Sequence, residues 1–294
     1  MDALAIGNMS LDEVEINGKK RTQLGGASAY VSSTLKLMGI KRVGILSNVG
    51  RDFPEEFFPF LKRIGVDVTL VSRNEKSTRF YLKYSKSWRR DMKLISRAPN
   101  IGKNDVSAKL IYLGPIAGEL DANSIFYYRR RCEILSLDLQ GFLRDFTDSG
   151  EILLKENPEI LSPSVDVIKG TLEEFQTFDL SSILEFNGML LVTMGEKGSM
   201  LIRRSEAIFI PTYEADVLDP TGAGDVYLGA FLSQILLGRD YIRAACIASS
   251  VASISVEKDG VMSSINYGEV KRLSLIHISE PTRPLYISYA VFCL

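Results

Sequence analysis

The chain has 294 residues, with 35 lysines and arginines against 36 aspartates and glutamates and a formal net charge of −1. Its length allows a substantial core, as one large domain or two ordinary ones. The near balance of interspersed acids and bases implies no basic face, so nucleic acid is not an expected partner. No apolar run is long enough to span a membrane, and no charged segment precedes an apolar stretch at the N-terminus. A cytoplasmic protein without a membrane partner is expected. Cys132, Cys246 and Cys293 are scattered and odd in number, which argues against a disulfide framework or a thiolate metal cluster. The lone histidine, His277, lies in the C-terminal tail, so acid–base chemistry should rest on carboxylates.

In chain order, residues 3–7 read as a short buried strand. Ser10 and Asp12 follow near the carboxyl edge where α/β sheets collect ligands, although Asp12 also suits a solvated turn. Residues 14–16 and 22–24 around Asn17-Gly18 read as a tight hairpin. Gly25-Gly26 then opens a helix through Tyr30 that closes at Gly39; a double glycine lets backbone approach a ligand closely, or is a plain strand-to-helix turn. A second buried strand is expected at 42–49, then a helix with Asp52 as N-cap and Pro54 in its first turn, running to Ile64, then a strand at 66–71. Segments 78–84 and 92–96 alternate as strands about a hinge of Trp88, Arg89 and Arg90, which reads as a solvated loop. With the first hairpin they make a small sheet with one face needing cover.

Strands at 109–114 and 133–139 flank a helix at 122–131. Asp138, Gln140 and Arg144 come at the end of the second strand, where a guanidinium would either grip phosphate oxygens or join a surface salt bridge. After a strand at 165–168, Thr171 and Glu174 have the spacing of a helix capping box. A strand at 190–192 runs into the glycine loop Thr193-Met194-Gly195-Glu196-Lys197-Gly198, which alone is as consistent with a hairpin turn as with phosphate binding. A hairpin at 200–202 and 207–210 follows. Two long apolar helices, 226–237 and 241–256, end the pattern, the second with Ala and Ser positions suited to close packing.

Before the first of these helices stands Asp219-Pro220-Thr221-Gly222-Ala223-Gly224-Asp225. Glycines at a helix start leave outward N–H groups where the dipole is positive, an anion site. A carboxylate there repels a bare phosphate, so Asp225 makes sense as a base facing an attacking hydroxyl, or as a helix-favouring acid that dipole complementarity alone explains.

This string, with Tyr227 and Gly229-Ala230-Phe231, resembles the C-terminal signature of the ribokinase-like (PfkB) carbohydrate kinases, and the Gly25-Gly26 helix start resembles their N-terminal one. The resemblance implies a three-layer α/β/α sandwich with a mostly parallel central sheet and a small β-sheet lid, here about 12–24 and 78–97, within a kinase domain spanning 1–273. It implies ATP-dependent phosphorylation of a hydroxyl on a small sugar, inositol-like polyol or nucleoside. Asp225 would be the base, with Gly222, Ala223 and Gly224 the anion hole. Ser10, Asp12, Gly25, Gly26, Tyr30 and Gln140 would hold the acceptor; Arg144, Thr193, Gly195, Gly198 and Thr221 would line the ATP side. Glu174 would organise water around Mg2+. A monovalent cation such as K+ near Asp219 and a homodimer through the lid occur in some relatives.

Three positions depart from the resemblance. Ala27 and Tyr30 stand where ribokinases carry a lysine and an asparagine, which removes ribose's usual grips, and Thr171 replaces the asparagine of an Asn-x-x-Glu motif. These departures support the alternative of a degenerate sugar-binding or regulatory protein of the same fold. Residues 137–144, Leu-Asp-Leu-Gln-Gly-Phe-Leu-Arg, are similar to a segment of some archaeal and plant members, including inositol kinases. The stretch 274–284 resembles a translated adapter fragment, so residues 274–294 are expected to be a non-native tail outside the fold.

Overall fold

The computed structural model describes residues 1–88, 90–204, 206–258 and 284–286. Its first half contains β1 (Ala3–Ile6), β2 (Ser10–Ile16), β3 (Lys19–Gly25), α1 (Ala27–Leu37), β4 (Val43–Gly50), α2 (Phe57–Arg63), β5 (Val66–Asn74), β6 (Thr78–Tyr84), β7 (Arg90–Ser96), β8 (Ala108–Leu113) and α3 (Asn123–Arg129). The second half adds β9 (Cys132–Asp138), α4 (Gln140–Leu143), β10 (Arg144–Phe146), β11 (Ile152–Leu154), β12 (Val167–Thr171), α5 (Leu172–Phe175), α6 (Leu180–Glu185), β13 (Met189–Thr193), β14 (Ser199–Arg203), β15 (Glu206–Ile210), α7 (Ala223–Leu236), α8 (Tyr241–Ser255) and β16 (Pro284–Tyr286).

The main sheet runs in the order β16-β15-β14-β13-β12-β9-β8-β1-β4-β5, parallel from β13 to β5 and antiparallel at the β14–β16 end. Alternation along each strand feeds two separate cores. In β1, Ala3 and Ala5 face the layer containing α1, α7 and α8, while Leu4 and Ile6 face the layer that includes α3 and α5. Strands buried on both faces explain the near-continuous apolar runs in the sequence. The result is the expected three-layer α/β/α arrangement with a mostly parallel central sheet.

The four segments expected to form a lid pair as one sheet in the order β3-β2-β6-β7. Its inner face carries Val14, Phe80, Leu82 and Tyr84, all buried. Phe146 of β10 packs against Phe80 with ring centroids 6.3 Å apart and helps to cover that face. The outer face is polar: Glu15 receives Lys83 at 3.2 Å, Lys20 at 3.5 Å and the Tyr81 hydroxyl at 2.6 Å.

Some local expectations are corrected. Asp52 does not cap α2, whose N-cap is Glu56; its Oδ1 instead accepts the backbone N–H and hydroxyl of Ser77, each at 2.9 Å, which roots the lid on the end of β4. Ser10 and Asp12 lie within β2, not in a loop after β1. Of the expected tail, Pro284–Tyr286 pairs with β15 and so contributes to the sheet; the rest of 274–294, including His277 and Cys293, lies outside the described residues.

At the carboxyl edge of β1 and β8, a buried carboxylate ties two loops together. Glu119 Oε1 accepts the N–H of Asn8 at 2.8 Å, Oε2 accepts that of Ala117 at 2.8 Å, and Ile116 N–H reaches both oxygens at 3.0 Å. Burial pushes the Glu119 carboxyl upward from its ordinary range, and these N–H groups pull it back. Glu119→Ala leaves three buried donors without an acceptor. It should destabilise the protein by about 3 kcal/mol, read as a lowered urea midpoint with unchanged slope.

Candidate active site

Helix α7 starts at Ala223 with Gly222 as N-cap in the left-handed region, φ 77°. A side chain at Gly222 would be strained and would also run into the ring of Tyr30. That contact brings the helix start against α1, which is itself capped by Gly26 at φ 94°. A Cβ at Gly26 would stand 2.6 Å from the Asn8 carbonyl oxygen, so here too only glycine fits. The two glycine motifs, nearly 200 residues apart in sequence, thus meet at one place.

Asp225 projects from the first turn of α7 into a cleft of about 1240 Å³, whose lining includes Gly222, Ala223 and Gly224. The side chain is only 14% exposed, and its Oδ1 accepts no hydrogen bond. Lys169, a lysine in the otherwise apolar β12, lies 3.7 Å from that oxygen and donates a 2.6 Å hydrogen bond to Asp138 Oδ2 on neighbouring β9. It crosses the face of Gly224, where an added Cβ would be 3.1 Å from Nζ. Burial pushes the Asp225 carboxyl up to about 6; Lys169 opposes the shift and Asp138 adds to it. Burial alone would lower the Lys169 ammonium, but Asp138, Asp225 and Glu174 outweigh it and raise it. The lysine therefore stays charged.

Of the expected acceptor residues, Ser10, Asp12, Gly25, Gly26 and Tyr30 are buried and outside the cleft's lining, where only Gln140 stands. Asp12 Oδ1 accepts the Ser10 hydroxyl at 2.7 Å. Burial raises the Asp12 carboxyl to about 6, with the Ser10 bond and Arg90 opposing and the charges of Asp225 and Asp219 assisting. A side chain at Gly25 would overlap the Asp12 carboxylate. Burial likewise raises the Tyr30 hydroxyl well above its ordinary value. Gln140 lines the cleft from α4.

On the other side, Thr193, Gly195, Arg144 and Glu174 all line the cleft. Arg144 is buried, with Nη1 donating to the Ile116 carbonyl at 3.4 Å. The capping box is present: Thr171 Oγ1 accepts the Glu174 N–H at 3.2 Å and Glu174 Oε2 accepts the Thr171 N–H at 2.8 Å, which leaves Oε1 outside that pair. No group of three or more carboxylate, histidine or cysteine ligands exists among the described residues. The set fits a magnesium ion that keeps most of its water and takes one protein carboxylate, Glu174.

Not every expected residue reaches the cleft. Gly198 turns the chain into β14, its N–H donating to the Gly195 carbonyl at 3.1 Å. Thr221 is buried, its hydroxyl bonded to that of Tyr84 at 3.0 Å. Asp219 is buried, and Arg21 of the lid donates to its Oδ2 at 2.6 Å. The Ala223 N–H donates to the Pro220 carbonyl at 3.2 Å, whereas no such acceptor takes the Gly224 N–H.

Sequence reasoning missed Lys169, although a lysine amid Val167 and Ile168 beside an aspartate strand end is a signal. It also read Trp88 and Arg90 as solvated, and both line the cleft; Arg89 lies outside the described residues.

Among the described residues, no helix is long and apolar enough to cross a membrane. A family profile described as pfkB family carbohydrate kinase matches residues 143–266. Inositol 3-kinase of Arabidopsis thaliana is 24% identical over 87% of this chain and 74% of that protein. Cytidine kinase of Thermococcus kodakarensis is 27% identical over 81% of this chain and 90% of that protein. A pyrophosphate-dependent kinase of the ribokinase family, complexed with a pyrophosphate analogue and myo-inositol, superposes with a TM-score of 0.79 at 22% identity, covering 92% of this chain and 99% of that one. In its three layers and its small accessory sheet the chain has the ribokinase-like fold, and its residues 143–266 match the pfkB family carbohydrate kinase profile.

Proposed function

We propose that the protein is a kinase that transfers a phosphoryl group from ATP to a hydroxyl of a small sugar, polyol or nucleoside. The observation that carries this reading is the Asp225 carboxylate in the first turn of α7: its Oδ1 accepts no hydrogen bond, and burial raises the carboxyl to about 6. Such a group accepts a proton near neutral pH and has a free oxygen to accept it with.

Asp12, Ser10 and the Gly25-Gly26 backbone orient the acceptor, with Tyr30 forming a wall and Gln140 a further polar contact. Asp225 takes the hydroxyl proton as the oxygen attacks phosphorus. The N–H groups of Gly222 and Gly224 face the charge that accumulates on the transferred group. Arg144 and Lys169 add positive charge from the cleft wall. Glu174 would hold a magnesium ion through water, which would supply positive charge to the donor phosphates.

The cleft extends beyond the phosphate-proximal residues, past Thr193 and Gly195, to Thr212–Val217 and the end of α8. That is more room than a pyrophosphate fills and supports a nucleotide donor, although the neighbour described above uses pyrophosphate. The polar outer face of the lid is the surface through which a homodimer would have to form.

A panel of sugars, inositols and nucleosides, with ATP and with pyrophosphate as donor, tests this reading by ADP or phosphate release. Turnover is expected with ATP and at least one acceptor class. ATP binding without turnover across the panel would favour the degenerate binding protein. Asp225→Asn should lower kcat by about 100- to 10,000-fold while the KM for ATP changes little, as steady-state kinetics would read. Protonation of Asp225 removes the base, so kcat/KM should fall as pH drops through about 6. Lys169→Met removes the nearest opposing positive charge, and its profile should break at higher pH than that of the unsubstituted enzyme.

A further inference from the structure

Asp219 is a buried carboxylate with no side-chain exposure, and it opens the loop that leads to the anion hole. Its Oδ1 accepts the Thr221 N–H at 2.9 Å, and its own N–H donates to the Val256 carbonyl at 3.1 Å, so it fixes the loop against the end of α8. A buried charge of this kind needs a partner. The partner comes from 198 residues away, on the lid: Arg21 Nη2 donates to Oδ2 at 2.6 Å.

Two further contacts run alongside. Arg21 Nε donates to Gln23 Oε1 at 3.1 Å, and Gln23 lies opposite Asp12 in the β2–β3 ladder. Tyr84 of β6 shares a 3.0 Å hydrogen bond with Thr221, in the same loop. Two lid strands therefore grip one short loop, which continues directly into Gly222 and Asp225.

We propose that Arg21 is a positioning residue: from the lid it neutralises Asp219 and so sets the anion-hole loop, which makes enclosure of the acceptor a condition for assembling the phosphoryl-binding side. The lid is then more than a cover. Without Arg21, the loop holds an unpaired buried charge and shifts to solvate it. This role rests on the kinase reading for its effect on turnover, but the latch itself does not.

A double-mutant cycle between Arg21→Gln and Asp219→Asn tests the proposal with two readouts. The first needs no catalysis. Trp88 is the only tryptophan and lines the cleft from the β6–β7 turn of the lid, so acrylamide quenching of its fluorescence follows lid opening. Arg21→Gln should raise the quenching constant about twofold, and should add nothing once Asp219→Asn is present, because Asn still accepts the Thr221 N–H and carries no charge. The second is turnover: Arg21→Gln should lower kcat about 10- to 100-fold, with partial recovery in Arg21→Lys and on adding guanidinium ion to Arg21→Gly. Quenching unchanged in Arg21→Gln, or equal effects of that substitution in both backgrounds, would overturn the latch. Absence of turnover in the unsubstituted protein would count against the kinase reading alone, and the quenching cycle would still decide the latch.

Discussion

Around the start of α7 the fold collects more negative charge than water can reach to solvate. Asp12, Asp138, Asp219 and Asp225 are all buried or nearly so, and their compensation comes from Lys169, Arg21, Arg144 and Arg90. Burying one charge without a partner costs several kcal/mol, so the geometry of these pairs is a constraint that the rest of the chain must satisfy. The distribution is unequal. Asp138 takes the short bond from Lys169 and is spent on it, whereas Asp225 receives only the longer-range field and keeps an oxygen free. One lysine thus separates a carboxylate held in a short bond from one that keeps an unbonded oxygen.

The scaffold serves this arrangement from both sides. Glu119 gathers the loops after β1 and β8, the edge from which the acceptor residues are presented. Asp52 and Ser77 root the lid on β4. Gly26 and Gly222 let two backbones approach where any side chain would separate them, and Tyr30 fills the seam. Each of these contacts fixes a separation between elements that meet at the start of α7.

What the sequence made legible follows from sequence distance. Strand β6 was read at its observed limits, and the small sheet was assembled from one tight hairpin turn and two alternating segments, because both are local signals. Asp225, its glycine cradle and the Thr171–Glu174 box were legible for the same reason: all their parts are contiguous. Lys169, Arg21 and Glu119 were not, since each acquires its meaning from a partner on another element; a single lysine in a strand or an arginine on a hairpin reads as solvated until the fold supplies a buried carboxylate. Trp88 and Arg90 failed differently, since a polar hinge is usually exposed, and only tertiary packing sets this one above the cleft. Asp52 had a capping pattern but found a stronger partner in Ser77.

The main sheet ends on β16, a strand of three residues beginning with Pro284 opposite Ile208. A proline nitrogen has no hydrogen to offer, and three residues present too short a row for another chain to extend. Among the described residues, the sheet therefore closes beside β15 on a short, blunt margin that offers another strand little to extend.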